Sequence, residues 1–284
     1  MASIKEGYNQ FLDTEEGGRA YNEFKDVLYT PGDTLVKTLN NEVARHLLSK
    51  KQGKVKICDI GGGDGKRITH ILSFLAQQYP DLEFELDFVE QSKYFCTEFE
   101  KRKAEIPEVE VTVYHNLFED VVDRLVKRSY DIVFLIHSIF AFQDESIVAK
   151  IHSLVKREGK IVFISNAQDS LLAQLKQKLD QGYADKRTEI GDIKKALSAQ
   201  GIKYSSFIFD TKFCISQEDI ETSFYKILNW LSLGRYQRIS SEKAKEIKNL
   251  LISLGEEKDG VLNFTEQEEV LIIPPVKQLV NAGS

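Results

Sequence analysis

Apolar and polar positions along this chain follow two periods that take turns. Short apolar runs that read as strands fall at 55–60, 84–90, 109–114, 130–137 and 160–165. Between them apolar residues recur at helical spacing, as in Ile68, Ile71, Leu72 and Leu75. That spacing predicts helices over 64–78, 92–104, 117–128 and 144–156. Alternation of this kind predicts an α/β fold with a parallel, doubly wound sheet. The run Ile132-Val133-Phe134-Leu135-Ile136 has no polar face and reads as a central strand buried on both sides. A further helix near 189–200 stops at Gly201, a residue suited to ending helices. A long strand over 204–215 follows, and a last apolar strand, 269–273, is stopped by Pro274-Pro275. Residues 217–257 carry two helical stripes: Ile220, Phe224, Ile227, Leu228 and Leu231, then Ala244, Ile247, Leu250, Leu251 and Leu254. The expectation is seven strands, the last two a hairpin interrupted by helices that wall or cover the sheet's carboxyl edge.

Composition narrows the class. With 284 residues, 42% hydrophobic and 29% charged, the chain can bury a full core as one large domain or one domain with an appendage. A net charge of −6 argues against a dedicated nucleic-acid binder, which shows a basic face. Cys58, Cys96 and Cys214 lie far apart and match no metal spacing, so no metal site is expected. Cys58 and Cys214 fall in apolar strands and read as core thiols. No apolar run approaches the ~20 residues of a membrane span, and the first residues carry no apolar signal segment. A reduced, soluble, cytoplasmic protein is expected, monomeric or weakly dimeric, with a small-molecule substrate and no membrane or nucleic-acid partner. The Lys- and Glu-rich stretch 241–248 reads as a solvated helix face.

The candidate chemistry starts at Asp59-Ile60-Gly61-Gly62-Gly63-Asp64-Gly65, between the first strand and its helix. Three consecutive glycines remove every Cβ from the corner, so the backbone can take positive φ and approach a ligand closely. Open α/β sheets bind ligands at this carboxyl edge. A dinucleotide fingerprint would be G-x-G-x-x-G, but here Lys66 takes the place of the last glycine. Asp59 and Asp64 would also set negative charge beside a pyrophosphate. A cationic or zwitterionic ligand fits better, such as the sulfonium and amino group of S-adenosylmethionine. The next strand ends at Glu90, where a carboxylate can accept hydrogen bonds from both ribose hydroxyls. Alone, a strand-end Glu is ordinary; coupled to the glycine turn it points to a nucleoside.

This topology, with the glycine turn and Glu90, resembles the class I S-adenosylmethionine-dependent methyltransferases over residues from about 50 to 275. The resemblance implies a Rossmann-like seven-stranded sheet with an N-terminal helical cap and a helical insertion before the last strand. It implies a cap over 1–50, a cofactor-binding core over 51–216, an insertion or lid over 217–262, and the last strand and tail over 263–284. It also implies S-adenosylmethionine as cofactor, held by Asp59, Gly61, Gly62, Gly63, Asp64, Glu90, Gln91, Asn116, Leu117 and Ile136. A closer likeness lies outside the core. Tyr8, Phe11, Leu12, Glu23 and Phe24 precede the sheet in a pattern similar to the histamine N-methyltransferase family. In that family N-terminal aromatics close over the substrate and an acidic residue holds the amine. Matching Phe11-Leu12 and Glu23-Phe24 puts Gly17 at the acidic position, with Glu16 beside it. The family's glutamine after the fourth strand falls at His137, its paired tyrosines at Phe140 and Ala141, and its tryptophans near Ser170 and Gln174. The architecture carries over and the histamine-specific lining does not, so a different substrate is expected.

On the acceptor side, the candidates for substrate contact are Tyr8, Phe11, Glu16, His137, Phe140 and Asn166. His137 ends the fourth strand, where such sheets place catalytic groups. An imidazole with its ordinary pKa of ~6.5 suits a base at neutral pH, while a pocket-shaping hydrogen-bond role stays equally open. Tyr8, Phe11, Tyr21, Phe24 and Tyr29 lie within one segment. They form a core stripe, an aromatic cage for a flat or cationic substrate, or both. Trp230 reads as core. The expected activity is methyl transfer to a nitrogen or oxygen of a small, aromatic or heterocyclic amine. The alternatives are a peptide or protein methyltransferase and a cofactor-binding protein on the same fold without methyl transfer.

Overall fold

In the computed structural model, residues 11–28, 33–138, 146–181, 188–234 and 238–274 are described. Tyr8, Tyr29, Phe140, Ala141 and Pro275 lie outside them. The strands are β1 (Gly53–Ile60), β2 (Leu82–Glu90), β3 (Val109–His115), β4 (Tyr130–Ile136), β5 (Val155–Asn166), β6 (Ser205–Ser216), β7 (Glu256–Lys258) and β8 (Val261–Ile273). They join one sheet in the order β3-β2-β1-β4-β5-β8-β6, with β7 paired to β8. β1 pairs in parallel with both β2 and β4, β2 with β3, and β4 with β5. The winding therefore reverses at β1, and the carboxyl ends of β1 and β4 flank that switch point.

The apolar patterns explain the layers. All of β4 is buried, as its unbroken apolar run requires. The helix Lys66–Gln78 buries Ile68, Ile71, Leu72 and Leu75 and leaves its polar face outside. A polar knot ties β1, β2 and β4 together. Asp131, at the start of β4, accepts from the Lys56 amide (2.9 Å) and from Lys156 (2.8 Å), and also pairs with Lys51. The Tyr130 hydroxyl donates to Asp87, which also meets Lys56 at 3.1 Å.

The chain divides into two compact units. One is drawn from described residues of 33–165, 188–207 and 270–284, and centres on a core that includes Tyr130, Val133, Leu135 and Phe163. The other is drawn from described residues of 1–32, 166–187 and 208–269, and has its own core of Leu175, Phe213, Phe224, Leu228, Leu251 and Phe264.

Several expectations need correction. The helix expected over 117–128 is one turn, Phe118–Val121. Val121, Val122 and Leu125 are buried all the same. A helix not expected, Leu171–Asp180, starts on the cap Ser170, whose hydroxyl accepts from Ala173 N at 3.2 Å. The last strand starts at Val261 and not at 269, because its first half alternates in and out of the core. An eighth strand, β7, makes a hairpin with it through Asp259-Gly260, both at positive φ (52° and 75°). Cys214 is exposed and is no core thiol; Cys58 and Cys96 are buried.

Candidate functional site

The carboxyl ends of β1, β2, β3 and β4 bring together most of the residues marked in the sequence. β1 delivers Asp59, which is 1% exposed. Neither of its carboxylate oxygens has a hydrogen-bond partner among the described residues. Burial pushes its carboxyl well above the ordinary range, and the neighbouring Glu90 charge pushes it the same way. Glu90 ends β2 and is also buried. One of its oxygens accepts from Gly63 N (2.9 Å), the other from Ser92 N (2.8 Å). Burial raises its pKa, while the amides of Ser92, Gly63 and Gln91 and the nearby His115 pull against that rise. The two oxygens of a carboxylate offer about four lone-pair sites, so these bonds leave capacity for hydroxyl donors.

The turn between them is built by packing as much as by conformational freedom. Gly61 sits at φ 69°, and a Cβ there would lie 2.5 Å from Ser138 Cβ. At Gly62 a Cβ would lie 2.0 Å from the ring of Phe88, which stacks on Phe99 at 3.7 Å. The turn's amides are directed inward. Gly61 N and Gly62 N donate to Val89 O, Gly63 N to Glu90, and Gly65 N to Gly62 O. A phosphate nest needs such amides aimed at the ligand. With four of them committed internally and two acids at the strand ends, the turn has no pyrophosphate cradle.

Asp64, expected among the cofactor-binding residues, has internal partners. Its carboxylate accepts from Lys66 N (3.2 Å) and pairs with Arg102 (3.4 Å), whose Nε also donates to the Asp64 carbonyl at 3.1 Å. Arg102, from the helix Lys93–Arg102, had no distinguishing signal in the sequence. Asn116 follows β3; its side-chain oxygen accepts from Arg124 at 2.8 Å. Leu117 beside it is 38% exposed, a large apolar side chain open at the same edge. Gln91 is half-buried and Ile136 buried at the end of β4. His137 is half-buried and takes φ 52°, uncommon for a residue with a side chain. Its amide donates to Ile164 O at 2.7 Å.

The remaining candidates belong to the other unit. The Asn166 side chain lies in a polar network: its amide donates to Glu266 (2.8 Å) and its oxygen accepts from Lys176 (2.6 Å). Phe11 is half-buried, and its ring lies where a Cβ on Gly234 would be (2.4 Å). Gly17 is demanded by the backbone: a Cβ would sit 2.0 Å from Phe11 O. That contact leaves no room for an acidic side chain at this position. Glu16 is exposed in the first turn of the helix Glu15–Leu28. Tyr21 and Phe24 pack on Trp230, with ring centroids 4.9 and 5.8 Å away.

No family model matches the chain. It is 22% identical to histamine N-methyltransferase of Cavia porcellus over 214 residues, which span 71% of this chain and 69% of that protein. Among solved structures it is similar to phosphoethanolamine N-methyltransferase 2 of Haemonchus contortus in complex with S-adenosyl-L-methionine. That match has a TM-score of 0.53 and 13% identity, and covers 97% of this chain and 61% of that one. It is also similar to geranyl diphosphate C-methyltransferase of Streptomyces coelicolor, in complex with magnesium, geranyl-S-thiolodiphosphate and S-adenosyl-L-homocysteine. Here the TM-score is 0.51 at 12% identity, over 97% of this chain and 99% of that one. The fold is that of the class I methyltransferases, as the glycine turn, Glu90 and strand pattern led one to expect.

Proposed function

We propose that this protein is an S-adenosylmethionine-dependent methyltransferase acting on a nitrogen or oxygen of a small, aromatic or heterocyclic amine. The observation that carries the reading is Asp59, a buried carboxylate with no hydrogen-bond partner among the described residues, beside Glu90 at the switch point of a class I methyltransferase sheet. A cationic ligand satisfies both acids at once, and an anionic one fits neither. The relatives support the choice: the Haemonchus enzyme's structure holds S-adenosyl-L-methionine and the Streptomyces enzyme's holds S-adenosyl-L-homocysteine.

Bound at this edge, S-adenosylmethionine supplies a methyl group on a sulfonium, open to in-line displacement. Glu90 would accept from the ribose hydroxyls, and Asp59 would face the cationic part. Leu117 and Asn116 would line the adenine side. Asp64 acts through its pair with Arg102 to hold the turn. His137 would take the proton that an ammonium or hydroxyl acceptor must lose, or orient that acceptor by a hydrogen bond. Positioning at near-attack distance and exclusion of water then supply most of the acceleration. Tyr8, Phe11, Glu16, His137, Phe140 and Asn166 are the acceptor-side candidates of this reading. The relative from Cavia porcellus is a histamine N-methyltransferase, which favours an amine; Gly17, His137 and Ala141 favour one other than histamine.

Titration calorimetry with S-adenosylmethionine tests the cofactor. The wild type should bind, and Asp59→Ala or Glu90→Ala should weaken binding at least tenfold, about 1.4 kcal/mol. Equal affinity in all three proteins would sink the assignment. A screen of amines and phenols for the gain of one methyl by mass then identifies the acceptor.

A further inference from the structure

We propose that Ser138 is a positioning residue that joins the donor turn to the first residues after β4. The paired ladder between β1 and β4 covers only Ile57–Asp59 against Ile132–Phe134. Beyond Asp59 the two strands need another link. Ser138, 5% exposed, supplies it: its hydroxyl donates to the carbonyl of Ile60 at 2.6 Å. The next residue is Gly61, at φ 69°, and a Cβ there would lie 2.5 Å from Ser138 Cβ and 3.2 Å from its Oγ. Ser138 therefore occupies the space that the glycine leaves, and the two positions constrain one another.

The same peptide is held from the other side. His137 keeps its left-handed backbone while its amide donates to Ile164 O of β5 at 2.7 Å. Residues 137 and 138 thus tie β4's end to β5 and to β1. On the far side of the turn, Gly61 N and Gly62 N are anchored to Val89 O of β2. The glycine turn is clamped between Val89 and Ser138. Replacing the hydroxyl leaves the Ile60 carbonyl buried without its donor and frees the turn on the β4 side. The geometry stands without a cofactor; its consequence for binding rests on the methyl-donor reading above.

The test compares Ser138→Ala with wild type by hydrogen exchange of the unliganded full chain and by calorimetry with S-adenosylmethionine. Val148→Ala, in the buried core of the same unit, serves as a control that lowers stability away from the turn. Exchange at the Gly61 and His137 amides should quicken about tenfold in Ser138→Ala, and affinity should fall roughly three- to tenfold, the scale of one hydrogen bond. Val148→Ala should move neither. If Ser138→Ala does not fold, Ser138→Cys, of similar size and a weaker donor, should show the same changes at smaller scale. Affinity within twofold of wild type overturns the proposal, whatever the exchange does. A wild type that binds no S-adenosylmethionine defeats the methyl-donor reading instead. The exchange then decides alone: quickening at both amides upholds the tie, and unchanged exchange overturns it.

Discussion

Asp59 and Glu90 set the energetics of the candidate site residue by residue. Burial raises both carboxyls above their ordinary values, so the unliganded fold holds protons that the unfolded chain gives up. The sign of the linkage follows. Where the native state binds more protons than the unfolded one, stability falls as pH rises from the unfolded carboxyl value through the folded one. A cation beside the pair reverses the shift and releases protons. Binding of S-adenosylmethionine should therefore release protons in the pH range where the unliganded pair still holds them, and affinity should rise with pH through that range. Calorimetry in two buffers of different ionisation enthalpy measures that release, and Asp59→Asn should reduce it; no buffer dependence in the wild type would contradict the linkage. These two acids were legible because carboxylates at the ends of consecutive strands, one before a glycine turn, form a pattern. Ser138 and Arg102 were not. A single serine and a helix-end arginine look ordinary until folding sets them 2.6 Å from Ile60 O and 3.4 Å from Asp64.

At the level of elements, the helix Leu171–Asp180 and strand β8 carry a second buried acid. Glu266 accepts from Leu172 N (2.9 Å) and from Asn166, and Lys176 closes the network through Asn166. Burial raises its pKa to about 7, against the pull of Leu172 N, Ser170, Lys176 and Asn166. The fold thus favours the protonated form, and stability should decline as pH climbs from about 4.5 to about 7. Denaturant melts at pH 5 and pH 8 should show the decline, by at most a few kcal/mol for this group. Glu266→Gln, which stays neutral, should flatten that part of the profile; an unaltered profile would remove Glu266 as its source. Both elements had signals in the sequence. Ser170 followed by Leu171, Leu172, Leu175 and Leu179 is a capped amphipathic helix, and Asp259-Gly260 is a strong hairpin turn. The first half of β8 was hidden because Glu266 and Glu268 occupy buried positions, where the strand pattern calls for apolar residues.

The whole fold was legible further than the acceptor side because its information is local and repeated. Most strand–helix pairs state their own period, and a run of them leaves few topologies. A sheet wound this way has its ligand edge at the switch point, so the β1 turn and Glu90 alone were enough to propose a donor side there. The acceptor candidates Phe11, Glu16 and Asn166 come from distant segments, and no local pattern relates them. Gly17 shows the difficulty: only the Phe11 carbonyl 2.0 Å from its absent Cβ explains why the position carries no acid. A ligand confined to the switch point makes a molecular prediction. At a hundred times its dissociation constant, S-adenosylmethionine should add about 2.7 kcal/mol to stability. For a chain of this size that is a rise of roughly 5–10 °C in melting temperature. Hydrogen exchange under the same conditions should show new protection around 59–65, at 90–92, at 115–117 and at 136–138. Those segments end the strands nearest the switch point and come from four separate parts of the chain, so protection gathered there would locate the ligand without any assay of catalysis. A melting temperature raised without protection at these strand ends would place the ligand elsewhere and leave Asp59 without the partner its burial calls for.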